Sequence, residues 1–214
     1  MTFEKIRKLA QPSLKHVLEH PFNTELFAGS LCHAKFKYFL EQDLYYLNNY
    51  SQALLRVSQR LTSSRHKLAF ERFAHDTVKA EQKIHQQFGI EQASIICEPI
   101  LNYVSHLERH TKYAPVEIAI ASLVPCFWLY KELGQHMAIV QTEKDHPYIS
   151  WVTSYACPGF HADTEEMIAI MEDVKNTARE EHMKKAFLES IHHELLFWEE
   201  VYAYTPPRYM MRRR

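Results

Sequence analysis

Apolar residues recur along most of this chain at the three- and four-residue spacing of a helix. Phe3, Ile6 and Leu9 open a first helical stretch, in which Pro12 starts a second part or kinks the first. His20-Pro21-Phe22 reads as a connection. From Lys35 to Leu61 the period is long and strong, with Phe39, Tyr46, Tyr50 and Leu54 on one side. Lys67 to Phe88 predicts a polar-faced helix stopped by Gly89, which suits the left-handed end of a helix. Pro99 to Lys112 predicts another. Pro115 then stands near the start of the most apolar segment, Ile118 to Tyr130. Tyr155 to Gly159 is a break, and Asp163-Thr164-Glu165-Glu166 has the spacing of a helix-starting capping box. A last helix runs from Thr177 to Tyr204, ahead of Pro206-Pro207.

No fixed-period repeat, low-complexity stretch or Gly/Ser linker interrupts this pattern. The reading is all-α, one domain over residues 1–214 with about eight packed elements and a short basic tail. Composition sharpens it. Only 4 of 214 residues are glycine, too few for the positive-φ turns that β-hairpins use heavily. The apolar segment from Ile118 is 13 residues long, short of the ~20 that cross a membrane, so it predicts a buried helix.

Charge excludes another class. With 25 Lys and Arg against 26 Asp and Glu, the chain lacks the basic excess of a nucleic-acid binder. Arg212, Arg213 and Arg214 read as a solvated tail. Cys32, Cys97, Cys126 and Cys157 fit no zinc spacing, and Met1 to Lys8 lack an apolar signal core. The expectation is a cytoplasmic protein with free thiols.

Four places break the rules of an ordinary helix core. Asp43 shares a face with Phe39, Tyr46 and Tyr50, and a carboxylate in an aromatic stripe must find a donor, from a structural partner or from a ligand. Pro125 removes a backbone N–H just before Cys126, which shares a face with Tyr130 one turn on. That thiol is either a small core hydrophobe or a reactive group beside a kink. Glu194 falls in the apolar stripe of Phe187, Ile191, Trp198 and Tyr202. There it is a buried ion-pair partner or an acid whose proton is held by desolvation. Tyr103 and Tyr155 stand near breaks, as packing or as pocket rings. Among 14 histidines, Glu81 with His85 and Glu189 with His192 have helical ligand spacing, but no second inward pair with supporting carboxylates accompanies them, so no metal is expected.

Taken in order, the motifs resemble those of the thiaminase II (TenA) family, cysteine-containing branch, within the haem-oxygenase-like helical folds. They are His20-Pro21-Phe22; Phe36-Lys37-Tyr38 followed by Gln42-Asp43 and Tyr45-Tyr46-Leu47; Tyr103-Val104-Ser105-His106; Pro125 through Tyr130; Trp151 with Tyr155; and Glu194 with Phe197-Trp198. The resemblance implies a haem-oxygenase-like multi-helix bundle, usually a homotetramer. The implied reaction turns 4-amino-5-aminomethyl-2-methylpyrimidine, and thiamin in many members, into the hydroxymethyl pyrimidine. It implies Cys126 as nucleophile, Tyr46 as the phenol that favours its thiolate, and Glu194 as the acid for the leaving group. Asp43 would hold the amidine-like edge, and Tyr103, Tyr130 and Tyr155 would bind or stack on the ring. No metal or organic cofactor is implied. His192-His193 and Ala156-Cys157-Pro158-Gly159 depart from the family's aromatic residues and more Gly-rich turn, which bears on the pocket rim. A metal-dependent oxygenase on the same fold and a non-catalytic pyrimidine-binding or regulatory protein are the alternatives.

Overall fold

A computed structural model describes residues 3–91, 93–140 and 146–205, the side chains of residues 80, 81, 85, 139 and 140 excepted. The pair Glu81 and His85, Pro206-Pro207 and the terminal arginines therefore lie outside what is described. Every regular element is helical: α1 (Phe3–Glu19), α2 (Pro21–Phe27), α3 (His33–Arg60), α4 (Ser64–Phe88), α5 (Glu98–Tyr113), α6 (Val116–Val140), α7 (Ile149–Ala156), α8 (Pro158–Val174) and α9 (Glu180–Ala203), with one 3₁₀ turn at Thr177–Arg179. No described helix is long and apolar enough to cross a membrane.

The expected helices form, with two corrections. His20-Pro21-Phe22 is not a connection but the start of α2. The ring of His20 accepts the Phe22 N–H at 3.2 Å, and Pro21 takes the first helical position, where its missing N–H is not needed. Asp163 does not begin a helix either, since α8 starts earlier, at Pro158. The thiol of Cys157 caps it, accepting the Phe160 N–H at 3.4 Å. Asp163 instead sits within α8, half-buried, and pairs with Arg72 at 2.9 Å. Pro12 lies inside an unbroken α1, and Gly89 ends α4 at φ +60° as its residue type foretells.

α6 is the axis of the bundle. It packs against α1, α3, α5, α7, α8 and α9, and every residue from Glu117 to Tyr130 is buried. That explains its nearly uniform apolarity: a helix surrounded on all sides has no face to give to water. The one charge in that stretch, Glu117, is held by Arg179 at 2.7 Å. Trp128, Trp151 and Trp198 are fully buried, and Phe39 stacks on Trp198 at 5.2 Å between ring centres. Burying one such ring contributes roughly 1.5–3 kcal/mol, so this aromatic layer holds α3, α7 and α9 around α6.

Candidate active site

The site follows from three helix faces. On α3, the spacing 43, 46, 50 places Asp43, Tyr46 and Tyr50 on the side turned to α6. On α6, Pro125 supplies no N–H to the turn before it, and the Tyr50 hydroxyl donates to the Leu123 carbonyl at 2.8 Å just ahead of that proline. Cys126 and Tyr130 follow on the face this turn presents. α7 adds Trp151 and Tyr155. Together they enclose a cavity of about 220 Å³, on the scale of one small ring. Asp43, Tyr46, Cys126, Tyr130 and Tyr155 all line it. Its walls are largely aromatic: Tyr130 and Tyr155 lie 4.8 Å apart between ring centres, and Phe127 stacks on Phe160 at 5.3 Å.

The other two expected residues, Glu194 and Tyr103, do not line this cavity. They stand one layer back, with the Tyr103 ring 4.8 Å from that of Tyr46. Both are buried, and Glu194 is electrostatically coupled to Asp43 and Cys126. The Tyr46 and Tyr103 hydroxyls and Oε1 of Glu194 are buried and make no hydrogen bond of ordinary geometry among the described residues, although Tyr103 lies near enough to Glu194, and Tyr46 to Cys126, to act on their protons. Each such group costs roughly 1–3 kcal/mol, and a cluster of them is the mark of a place prepared for a ligand.

Desolvation governs the protonation states. Asp43 is buried with no cation beside it, and burial alone raises its pKa from 3.8 to about 7. Burial likewise raises Glu194 from 4.5 to about 8; the Tyr103 phenol opposes this and the Asp43 carboxylate adds to it. Among the described residues neither acid has the Lys or Arg partner that an ion-pair role requires. The Cys126 thiol is pushed well up, first by burial and then by Glu194, while Tyr46 and Tyr50 pull the other way. The net push is upward, against the thiolate that the resemblance assigns Tyr46 to favour.

Several contributors escaped the sequence reading. Tyr50 was placed on the right face but given no role, although its position seven residues from Asp43 is itself the signal. Asp76 and Thr77 of α4 and Asp163 of α8 lie on the cavity wall, and nothing in their own segments marks them. His193, where the family tends to carry an aromatic, stacks on Tyr103 at 5.3 Å with planes 11° apart, so an imidazole fills that role here.

Gly134 has a reason only the packing reveals. A Cβ there would come within 2.5 Å of the carbonyl carbon and oxygen of Tyr155, closer than atoms pack. α6 and α7 touch backbone to side-chain-free backbone at this point, and that contact sets where the Tyr155 ring stands. Gly134→Ala is expected to destabilise the fold by about 1–3 kcal/mol through overpacking. It should also weaken binding of a pyrimidine ring, measured by thermal melts and by ligand titration. Wild-type stability and binding in that variant would contradict this placement.

Residues 7–204 match the model of the TENA/THI-4/PQQC family. The chain is 27% identical to a Bacillus subtilis protein named aminopyrimidine aminohydrolase, over 93% of this chain and 89% of the relative. It is 29% identical to the thiamine biosynthesis multifunctional protein ThiED of Corynebacterium glutamicum, over 84% of this chain. The chain spans about a quarter of the length of that relative and of its Corynebacterium efficiens counterpart. A TenA homologue from Pyrococcus furiosus superposes with a TM-score of 0.86 at 18% identity, covering 94% of this chain and 100% of that one. A putative TenA-like thiaminase from Sulfolobus solfataricus superposes at 0.79 and 20%, covering 93% and 94%. The fold is therefore that of the TenA structures, and the chain belongs to the TENA/THI-4/PQQC family.

Proposed function

We propose that this protein hydrolyses 4-amino-5-aminomethyl-2-methylpyrimidine, with thiamin as a further substrate, to 4-amino-5-hydroxymethyl-2-methylpyrimidine, a salvage step toward thiamin. The observation that carries this reading is a buried thiol, Cys126, in a ring-lined cavity that it shares with the buried Asp43 carboxyl, with the buried Glu194 carboxyl one layer back. The names of the full-length bacterial relatives support the substrate class.

The chemistry follows from those protonation states. A pyrimidine ring resists expelling a group from its methylene carbon while it is aromatic. Adding the Cys126 sulfur to a ring carbon removes the aromaticity, and the thiol proton ends on the ring nitrogen held by Asp43. Adding S–H across C=N leaves no lone anion in a dry site, which is why a raised thiol pKa is compatible with reaction. A carboxyl near its pKa, as Asp43 is at neutral pH, offers one donor and one acceptor to the amidine-like edge. Tyr130 and Tyr155 hold the ring faces, and Tyr46 and Tyr50 support the sulfur.

The ring electrons then break the exocyclic C–N bond. The leaving nitrogen takes the Glu194 proton, directly or through one water, and departs as ammonia. Water adds to the exocyclic carbon and returns a proton to Glu194. The C–S bond breaks, the ring nitrogen gives its proton back to sulfur, and aromaticity is restored. One water is consumed and one ammonia released. Tyr103, packed beside Glu194, positions the acid in this scheme.

In this reading the chain works as one helical domain, in the cytoplasm, as a homotetramer and without a bound cofactor. The packing of α6 against helices from both halves of the chain supports the single domain; the tetramer rests on the family resemblance, and the location on the reading of the four cysteines as free thiols. The test is incubation of purified protein with each substrate and identification of the product by mass. Hydroxymethyl pyrimidine is expected from the aminomethyl compound, and its absence with both substrates would overturn the assignment.

A further inference from the structure

Outside the cavity, α5 and α9 bring together His106, His110 and Glu189, each with a ligand-capable atom within 4.8 Å of the others. None of the three lines the cavity. The partner suggested for Glu189 by sequence spacing, His192, is exposed and is not part of the group. The hydrogen bonds around the two imidazoles settle their tautomers. The Ser190 hydroxyl donates to the Ser122 carbonyl at 2.7 Å, so its oxygen accepts from Nε2 of His106 at 3.0 Å. The proton of His106 is therefore on Nε2 and the lone pair on Nδ1, which faces Oε2 of Glu189 at 3.8 Å. Nδ1 of His110 lies 2.9 Å from the His106 carbonyl, which can only accept, so His110 keeps its lone pair on Nε2.

This is the outer-shell arrangement that prepares histidine for a metal. One nitrogen is tied to an acceptor, and the other is left basic and aimed. His106 is buried, with its Nδ1 turned toward Glu189. His110 and Glu189 are partly exposed, which leaves an approach from solvent. We propose that His106, His110 and Glu189 form a binding site for a divalent transition ion of the Zn²⁺ type, clamping α5 to α9. Two imidazoles and one carboxylate favour such an ion over Ca²⁺ or Mg²⁺, which prefer oxygen alone, and leave a coordination position for water.

Closing the group around an ion requires small motions. Metal bonds of ~2.0–2.1 Å bring donor atoms to about 3.3 Å of one another. The Glu189 and His110 side chains have room to move that far. Arg109, whose Nη2 lies 3.4 Å from Nδ1 of His106, is exposed and turns outward, and Lys185, 3.7 Å from Glu189, releases it. The clamp has a bearing on the cavity, because Tyr103 lies one turn before His106 on α5 and Glu194 follows Glu189 on α9. The proposal does not depend on the assigned reaction.

The test uses chelator-stripped protein titrated with Zn²⁺ and with Co²⁺ as a coloured substitute. Wild type should take up one ion per chain, show the visible absorption of Co²⁺ with nitrogen donors, and melt at a higher temperature with ion present. His110→Ala and Glu189→Gln should each weaken binding by more than the roughly 10–100-fold that follows loss of an outer hydrogen bond, and abolish the melting shift. His192→Ala, on the same helix but outside the group, should bind as wild type does. Equal binding in wild type, His110→Ala and Glu189→Gln would place any ion elsewhere and overturn the proposal, as would no uptake by wild type at millimolar ion. Should His110→Ala not fold, Glu189→Gln carries the test alone.

Discussion

Replacing Cys126 with serine is expected to lower the turnover of the aminomethyl pyrimidine by three orders of magnitude or more, with ring binding changed by less than about tenfold. A thousandfold is about 4 kcal/mol of barrier, and the change is confined to the bond that forms first. A serine hydroxyl is a far weaker nucleophile than sulfur at neutral pH. Binding should survive because Asp43, Tyr130 and Tyr155 remain. Cys157 also lies on the cavity wall, but it is exposed, donates to the Ser154 carbonyl at 3.2 Å and caps α8. Cys157→Ser should therefore retain turnover. Parallel kinetics and ligand titrations on the two serine variants separate a nucleophile from a cavity thiol. Loss of rate in Cys157→Ser and not in Cys126→Ser would assign the chemistry to the wrong sulfur here.

The second large effect is on stability against pH. Asp43 and Glu194 have folded pKa values of about 7 and about 8, against ordinary values of 3.8 and 4.5. A raised folded pKa means that the folded chain holds its proton more tightly than the unfolded one. Below about pH 4 both states are protonated and the full stability is present. As pH climbs toward 8 the unfolded chain releases these protons first, so stability falls, and above the folded values the slope ends. The two acids feel each other, so their shifts are not summed; a few kcal/mol in total is the scale. With roughly 2–4 °C of melting temperature per kcal/mol in a chain of this size, melts at pH 5 and pH 8.5 should differ clearly. Asp43→Asn with Glu194→Gln should remove most of the difference and be the more stable protein at pH 8.5. It should also be inactive, since Glu194→Gln alone deletes a proton donor worth roughly 10²–10⁴ in rate. A wild-type melting temperature that does not fall across this range would mean that the carboxyls are not buried as acids.

These two acids also mark how far the sequence can be read. Each was visible as a carboxylate inside an apolar stripe, because a helix face is a property of local spacing. Cys126 after Pro125 was visible for the same reason. That Asp43, Cys126 and Tyr155 share one cavity was not readable from periodicity, since it depends on how α3, α6 and α7 are rotated about each other. Only the ordered motifs of the family pointed to it. The step back of Glu194 and Tyr103 behind the wall was likewise out of reach. Where local rules failed, the cause is specific. Asp163 has capping-box spacing, yet a residue with that spacing also serves within a helix when it finds a partner such as Arg72. Proline at His20-Pro21 signalled a break, but the same residue is at ease in the first turn of a helix. Gly134 carries no sequence signal, because its requirement comes from the backbone of α7.

The most direct test is ammonia release from the aminomethyl pyrimidine by wild type and Cys126→Ser, each at ring occupancy fixed by its own measured affinity. Wild type is expected to release one ammonia per hydroxymethyl product, steadily, while the equally occupied serine variant releases almost none. A silent wild type with the ring bound, or equal release from both, would contradict hydrolysis through the Cys126 thiol.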